Sequence, residues 1–260
     1  MSGRGRPNAP IASASSRAGT ERFLPGVVQS EVVYAVELHV HSAGSYDGRD
    51  SVDRLLEVAA ERDLDALAVT DHDAIEASHR AAERAPAYGL AGIVGTEVSS
   101  AAGHVLGLGV EKAVEPGLPF AETLERIRGQ GGLAVVPHPF QEMRNGVLAN
   151  VSREQLARAD AIEVYNSRLV TGWSNRQARR FARTRGLPMT AGSDAHVAEM
   201  VGRAVTLVDA DERSAAAICD AIREGRTELR TRRTPLWVSA RQAVGNTRRR
   251  ARLFVADLLE

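Results

Sequence analysis

The chain has 260 residues, of which 43% are hydrophobic and 25% charged, a composition typical of a folded domain of barrel size. Its 33 basic and 33 acidic side chains cancel, which excludes binding to nucleic acid by bulk charge alone. Cys219 is the single cysteine, so a disulfide framework and a zinc site built on thiolates are excluded. No apolar stretch reaches the roughly 18 residues of a membrane span, and a cytoplasmic location without membrane contact is expected.

The two ends of the chain differ in composition from its middle. Residues 1–32 are rich in Gly, Pro, Ser, Ala and Arg without an apolar period, which predicts a disordered leader. Residues 227–260 are basic and predict a C-terminal extension ending in an amphipathic helix. Arg248, Arg249 and Arg250 in that extension are either a solvated face or an oligonucleotide contact. Residues 33–226 are the predicted folded domain.

Strands and helices alternate through this central region. Apolar runs predict strands at 34–40, 64–70, 91–98, 104–110, 133–137, 161–166, 187–192 and 203–209. Helical patterns lie between them at 51–62, 75–85, 120–130, 152–158, 174–186 and 211–225. The alternation favours an α/β fold with a parallel sheet, closed or nearly closed into a barrel. A doubly wound open sheet is the alternative.

Six of the seven histidines lie at the ends of predicted strands or beside one, namely His39, His41, His72, His104, His138 and His196. Carboxylates fall at the same ends, namely Asp47, Asp71, Asp73, Glu97 and Asp194. In an α/β barrel the carboxyl ends of the strands converge, so these side chains are expected to meet. His39 and His41 are two residues apart, which puts both imidazoles on one face of a strand.

Imidazoles and carboxylates without a thiolate suit divalent Mn, Zn or Fe. The nine candidate ligands are too many for one four-coordinate ion, so the sequence predicts two or three ions. Three such ions would outweigh the charge of Asp47, Glu97 and Asp194 and leave a positive pocket. A phosphate dianion is the natural ligand of such a pocket.

Six short motifs occur in a characteristic order: His-Val-His-Ser (39–42) with Ser-Tyr-Asp-Gly (45–48), Thr-Asp-His-Asp (70–73), Gly-Thr-Glu (95–97), Gly-His (103–104), Pro-His-Pro (137–139) and Gly-Ser-Asp-Ala-His (192–196). In this combination the sequence resembles the PHP (polymerase and histidinol phosphatase) family of metal-dependent phosphoesterases. The resemblance covers residues 34 to about 209. It implies a distorted seven-stranded β/α barrel with a di- or trinuclear metal centre.

The resemblance also implies which residues would bind each ion. One site would be formed by His39, His41, Glu97 and Asp194; a second by Glu97, His104 and His138; and a third by Asp47, His72 and His196. Glu97, Asp194 and His196 would be catalytic, and Asn166 and Arg168 would contact substrate. Two positions depart from the family pattern: Glu37 replaces a usual aspartate, and Asp47 lies one residue late. His79 has no place in the pattern and is expected on an exposed helix face.

The predicted activity is hydrolysis of a phosphate ester by a metal-activated hydroxide. The substrate would be a small phosphorylated metabolite, a nucleotide or an oligonucleotide end, and the oligomeric state stays open. The general acid also stays open among Asp71, Asp73 and a metal-bound water. One alternative is C–N hydrolysis of the amidohydrolase type, which usually needs a barrel lysine that Lys112 does not supply. The other is a non-catalytic PHP-like binding module, against which the complete ligand set counts.

Overall fold

The computed structural model describes residues 33–141, 146–168 and 172–233. The predicted leader over residues 1–32 lies outside the described residues. Arg248, Arg249 and Arg250, with the predicted C-terminal helix, lie outside them as well. The predicted domain boundaries at residues 33 and 226 therefore stay predictions.

Nine strands of the described chain form one sheet. They are β1 (Val33–Val40), β2 (Ala66–Val69), β3 (Ala91–Ser100), β4 (Gly103–Leu108), β5 (Leu133–Val136), β6 (Ala161–Asn166), β7 (Met189–Gly192), β8 (Ala204–Asp209) and β9 (Thr227–Thr231). Their spatial order is β7-β6-β5-β4-β3-β2-β1-β8-β9. The expected α/β barrel-like architecture is confirmed, but with nine strands in the sheet rather than seven.

The sheet is mixed, whereas the sequence predicted a parallel one. Four neighbouring pairs are parallel, and the four pairs that involve β4 or β8 are antiparallel. The reason is clearest at β4, because only Ala101 and Ala102 separate it from β3. A parallel pair needs a crossover of about a dozen residues or more, and a two-residue link allows only a hairpin.

The ninth strand lies in a segment that the sequence assigned to the basic extension. Residues Thr227–Thr231 pair antiparallel with β8 over five positions, from Val208 opposite Thr227 to Ala204 opposite Thr231. Half-buried and exposed side chains alternate along it, as in an edge strand with one covered face. Its Glu and Arg side chains point to solvent, so the charged composition of this segment gave no indication of a strand.

Strand β7, at one edge of the sheet, contacts β1, β8 and β9 near the other edge and so brings the sheet close to closure. Val40 and Ala195 form an isolated parallel bridge that joins the end of β1 to the segment after β7. The Thr206 hydroxyl accepts a hydrogen bond from the amide of Ala191 at 3.0 Å and donates one to its carbonyl at 3.1 Å. Thr227 donates to the carbonyl of Met189 at 2.8 Å. These side chains bridge strands that do not share a ladder.

Six α-helices occur in the described part: α1 (Val52–Glu61), α2 (Glu76–Arg84), α3 (Phe120–Arg128), α4 (Arg153–Leu156), α5 (Trp173–Arg185) and α6 (Ala215–Arg223). Ser51 caps α1 by accepting a hydrogen bond from the Arg54 amide, and Gly186 ends α5 in the left-handed conformation. Ile218 and Ile222 of α6 join a buried cluster that includes Leu38. None of the helices in the described ranges is both long enough and apolar enough to cross a membrane.

Candidate metal centre

All nine predicted ligands gather at one end of the barrel. His39, Glu97 and His104 lie on strands, and the others lie in the loops that follow strands. Four overlapping groups have ligand atoms within 4.8 Å of one another: His41, Asp47, His72 and His196; His39, Glu97 and His138; His39, His41 and Asp194; and His72, Glu97 and His104. The shared end of the strands therefore builds one continuous cluster, not separate polar sites.

Glu97 lies at the centre of this cluster. Its carboxylate oxygens are 2.8 to 3.5 Å from ring nitrogens of His39, His41, His72, His104 and His138. The side chain is 1% exposed, so these imidazoles are its surroundings in place of water. One carboxylate facing this many imidazoles has the geometry of a ligand shared between two ions.

Two aspartates complete the cluster on the side of His196. Asp194 Oδ1 is 3.2 Å from His196 Nδ1 and 3.7 Å from His41 Nε2. Asp47 Oδ2 is 2.7 Å from His196 Nε2, and its Oδ1 is 3.8 Å from His72 Nε2. The extra residue before Asp47 in the sequence does not prevent its carboxylate from reaching the cluster.

Two of these residues hold unusual backbone conformations. His138 has a φ of 31° and Asp194 a φ of 51°, in the left-handed region that side chains with a Cβ rarely adopt. Such conformations cost on the order of 1–3 kcal/mol and persist where the surrounding structure enforces them. Both residues follow a strand by two positions, so the strained turn directs the side chain over the barrel end.

The nitrogen and oxygen atoms of the cluster are better placed to bind metal ions than to form hydrogen bonds with one another. Both ring nitrogens of His41 and the Oε1 atom of Glu97 are buried, and in the described chain none of them makes a contact with the geometry of a hydrogen bond, although Glu97 Oε1 is 2.8 Å from His104 Nδ1. Unpaired buried polar atoms are costly, and here they converge with nitrogen and oxygen donors only. This donor set suits Zn, Mn or Fe.

Electrostatics hold two carboxylates of the cluster ionised and one imidazole neutral. Burial opposes protonation of His39, His104 and His196, but the carboxylates beside them outweigh it and raise the pKa of all three. Burial, with His196 nearby, lowers the pKa of His41 to about 3, so its imidazole is neutral. Burial opposes ionisation of Glu97, but His104, His39 and His72 outweigh it and hold its pKa well below the usual range. For Asp194, Arg168 and the neighbouring histidines likewise outweigh burial and lower the pKa. The cluster thus combines ionised carboxylates with at least one neutral imidazole.

Glu163, which the sequence analysis did not select, holds His39 from behind. Its Oε2 is 2.9 Å from His39 Nδ1, and its Oε1 accepts a hydrogen bond from Asn166 Nδ2 at 2.8 Å. A register irregularity in β6 between Glu163 and Tyr165 lets residues three apart face the same side. The only sequence signal was a carboxylate inside an otherwise apolar strand.

Gly192 makes room for this contact. A Cβ at residue 192 would lie 2.4 Å from Glu163 Oε2 and 2.7 Å from the Cβ of His39. Any larger residue would displace the carboxylate from the imidazole. The glycine of the Gly-Ser-Asp-Ala-His motif is therefore explained by packing against the support of a ligand.

Glu37, on β1, joins this strand to the segments that follow β7 by hydrogen bonds. Its two carboxylate oxygens accept hydrogen bonds from the amides of Ser193 and Gly202, each at 2.9 Å. Burial raises the pKa of Glu37 to about 7. In this chain the position where the family usually has an aspartate therefore connects β1 to the segments around Asp194.

Asn166 and Arg168, the two residues predicted to contact substrate, lie next to the cluster but differ in exposure. Arg168 Nη1 donates to Asp194 Oδ1 at 3.0 Å and lies against the ring of His196. Asn166 is 1% exposed, and its side-chain amide donates to Glu163 and Asp194. This arrangement favours a positioning role for Asn166, whereas Arg168 retains the half-buried position that a substrate contact needs.

Three residues lie apart from the centre. His79 is exposed on α2, and its Nε2 is 2.9 Å from the Glu111 carbonyl oxygen, as expected of a residue outside the pattern. Lys112 lies in an exposed loop after β4, so it does not supply the barrel lysine of an amidohydrolase. Cys219 is buried on α6.

A nearly closed α/β barrel with histidines and carboxylates gathered at its strand ends defines the class of metal-binding β/α-barrel domains. The chain belongs to the PHP domain family of metal-dependent phosphoesterases. The family model described as PHP domain matches residues 37–168, and the one described as PHP-associated matches residues 172–227.

Relatives of known sequence include one of unknown function and one enzyme. An uncharacterized protein of Methanocaldococcus jannaschii is 31% identical over 173 residues, which cover 65% of this chain and 68% of that protein. The phosphoribosyl 1,2-cyclic phosphate 1,2-diphosphodiesterase of Eggerthella lenta is 40% identical over 98 residues. That match covers 35% of this chain and 37% of the enzyme.

Solved structures share the fold. A two-domain protein of Bacteroides vulgatus, containing a predicted PHP-like metal-dependent phosphoesterase, superposes with a TM-score of 0.66 at 22% identity. The alignment covers 77% of this chain and 65% of that protein. A lesion-specific endonuclease of Pyrococcus furiosus superposes with a TM-score of 0.59 at 16% identity, over 76% of this chain and 58% of the endonuclease.

Proposed function

We propose that the chain hydrolyses a phosphate ester with two or three divalent ions bound by the nine clustered residues. The observation that carries the proposal is the Glu97 carboxylate, buried among five imidazoles. One ion would be bound by His39, His41, Glu97 and Asp194; a second by Glu97, His104 and His138; and a third by Asp47, His72 and His196.

The charge of the cluster suits a phosphate group. Asp47, Glu97 and Asp194 are its three carboxylates, and two or three divalent ions carry more positive charge than these neutralise. Arg168 adds a guanidinium beside Asp194, with its side chain 14% exposed. A phosphate dianion is the ligand that balances this excess, and Arg168 can offer it two N–H donors.

The protein residues divide the work of hydrolysis. When bound, the ions supply an acidified water as nucleophile and neutralise charge on phosphorus oxygens. Glu163 accepts a hydrogen bond from His39 Nδ1 and so orients the ring with Nε2 as the atom that would bind an ion. Asn166 fixes Glu163 and Asp194 relative to each other. Arg168 orients the phosphate of the substrate.

The named relatives support this class of substrate. The Eggerthella lenta enzyme is by name a cyclic phosphodiesterase, and the Pyrococcus furiosus structure is a lesion-specific endonuclease. Both act on phosphate ester bonds, and this chain would act on the same class of bond. The substrate itself is a small phosphorylated metabolite, a nucleotide or an oligonucleotide end.

Metal analysis and turnover of an aryl phosphate by the Mn-loaded chain test the proposal. Glu97→Gln keeps the size of the side chain but removes the charge shared between ions, so it is expected to lose more than one metal equivalent and most activity. His72→Ala is expected to lose about one equivalent. His79→Ala is the matched histidine control and is expected to keep both metal and rate.

The ligand assignment fails if Glu97→Gln keeps full metal and full turnover, or if His79→Ala loses both. A panel of phosphorylated metabolites, nucleotides and short oligonucleotides then identifies the substrate class. An amide substrate in the same panel tests the amidohydrolase alternative. Full metal occupancy with no turnover of any ester would support the non-catalytic alternative.

A further inference from the structure

A groove next to the metal centre combines aromatic rings with arginines and has no assigned role. It has a volume of about 440 Å³ and is lined by Phe140, Arg153, Trp173, Arg176, Gln177, Arg180, Phe181 and Thr184. We propose that this aromatic–arginine groove binds the nucleotides of a single-stranded oligonucleotide whose terminal phosphate enters the metal centre. The entry of the terminal phosphate into the metal centre rests on the proposed function, whereas the binding of nucleotides in the groove does not.

The groove is built by the same elements that carry the centre. Phe140 follows the ligand His138 by two residues, so their Cα atoms are at most about 7.6 Å apart. On the other side, Trp173 is the first residue of α5. Asn175 in the same turn exchanges two hydrogen bonds of 3.1 Å with the backbone of Asn166, at the end of β6. The groove therefore begins at the two segments that also carry His138 and Asn166, on the side of the barrel where the cluster lies.

The charge of the groove is positive and uncompensated. Its lining includes Arg153, Arg176 and Arg180 but no Asp or Glu. Within the described residues none of the three forms an ion pair, whereas Arg185 on the same helix pairs with Glu154 at 3.0 Å. Arg176 and Arg180 are four residues apart on one helix face, where like charges repel. An anionic ligand relieves this repulsion.

The aromatic side chains select among anionic ligands. Trp173 is 60% exposed, one of the few large apolar side chains left in solvent in the described chain. The guanidinium of Arg176 lies 5.5 Å from the centre of its ring, and that of Arg153 lies 5.5 Å from the centre of the Phe140 ring. Exposed aromatic rings interleaved with arginines are stacking platforms for nucleic-acid bases.

Two other occupants fit less well. A second copy of the chain placed on this face by a two-fold axis would bring the same unpaired arginines against each other. An acidic peptide would satisfy the arginines but would leave the flat face of Trp173 without a stacking partner. A single-stranded oligonucleotide satisfies both features, because its phosphates pair with guanidinium groups and its bases stack on indole.

Binding is tested with the full chain in a chelator, so that turnover does not interfere. The probe is a labelled, 5′-phosphorylated single-stranded octamer of DNA or RNA, followed by fluorescence anisotropy. Trp173→Ala is expected to weaken binding roughly tenfold or more, from the loss of base stacking. Trp173→Phe keeps an aromatic face and is expected to restore most of the affinity.

A double variant and a matched control separate this site from bulk charge. Removing Arg176 and Arg180 together (both to Ala) is expected to flatten the slope of log K against log salt by about 1.4, or roughly 0.7 per phosphate contact. The control replaces Arg230 and Arg232, exposed arginines that line a different groove, with Ala. It removes the same charge and is expected to keep affinity, salt slope and aryl phosphate turnover.

The outcomes distinguish this inference from the proposed function. Octamer binding that depends on Trp173, in a wild-type chain that turns over no phosphate ester, would support the groove and refute the proposed function. Turnover of aryl phosphate by the wild type, with Trp173→Ala binding the octamer normally, would refute the groove alone. The inference is overturned if the Arg230 and Arg232 control loses as much octamer affinity as the Arg176 and Arg180 variant. It is also overturned if poly-glutamate displaces the octamer as well as an unlabelled oligonucleotide does, because the groove would then attract any polyanion.

Discussion

Replacing Glu163 by glutamine is expected to weaken metal binding while leaving the barrel folded. Glu163 is 2% exposed, and its Oε2 is 2.9 Å from His39 Nδ1. A carboxylate oxygen is an acceptor, so the contact between Glu163 and His39 favours a proton on Nδ1 of the imidazole. Nε2 faces the cluster, 3.3 Å from Glu97 Oε2, and is the ring atom that would bind an ion in place of a proton.

Glutamine reverses this arrangement. The other oxygen of Glu163 accepts from Asn166 Nδ2 at 2.8 Å, so in Glu163→Gln the amide oxygen takes that place. The amide NH₂ then faces His39, whose Nδ1 must accept, and the imidazole proton moves to Nε2. Loss of such a supporting partner weakens metal binding roughly 10- to 100-fold, which is about 1.4 to 2.7 kcal/mol.

The affinity is measured by competition with a chromophoric chelator, and the absorption spectrum of the Co(II)-loaded chain reports on the site. Glu154→Gln is the control, because Glu154 pairs with Arg185 at 3.0 Å but is 74% exposed. A solvated pair of this kind contributes about 0–1 kcal/mol, so metal affinity is expected to stay the same. Unchanged affinity and Co(II) spectrum in Glu163→Gln, or equal losses in both variants, would refute the reasoning.

Three further predictions concern the Thr206 contact between β8 and β7, the buried thiol of Cys219 and the guanidinium of Arg168. Thr206→Val leaves the amide and carbonyl of Ala191 unpaired, and urea unfolding is expected to show a loss of about 1–3 kcal/mol. Burial raises the pKa of Cys219 to about 12 from an ordinary value near 9. The folded state therefore disfavours the thiolate, and wild-type stability is expected to fall from pH 9 towards 12 relative to Cys219→Ala, measured by urea midpoints. Arg168→Ala is expected to raise KM for an aryl phosphate at unchanged metal content; loss of metal instead would assign Arg168 to the support of Asp194.

The meeting of the candidate ligands at one end of the barrel could be predicted from the sequence because their signals are local. His39 and His41 share a face through the period of a strand, and each remaining ligand follows or lies on a strand with its own short motif. The parallel strands of a barrel bring their carboxyl ends together whatever the details of packing. Convergence of the candidate ligands at the carboxyl ends of parallel strands therefore followed from the order of the elements. His104 is the exception, because it lies at the start of β4 and reaches the same end only because β4 is antiparallel.

The edge strand and the mixed sheet could not be predicted in this way. Residues Thr227–Thr231 contain a single apolar side chain, Leu229, and only pairing with β8 reveals them as a strand. The direction of β4 depends on a two-residue turn that a list of apolar runs does not weigh. Both features are decided by which backbone groups find partners once the sheet has formed.

The support of the cluster also belongs to tertiary structure. Glu163 and His39 are 124 residues apart, and neither neighbourhood contains a motif that points to the other. Their contact depends on the irregularity in β6 and on the space that Gly192 leaves. The sequence alone determined which chemical groups meet at the barrel end, because periodicity and strand ends are local properties. Only the tertiary structure decided which carboxylate orients which imidazole, because that depends on distances of a few ångströms between distant segments.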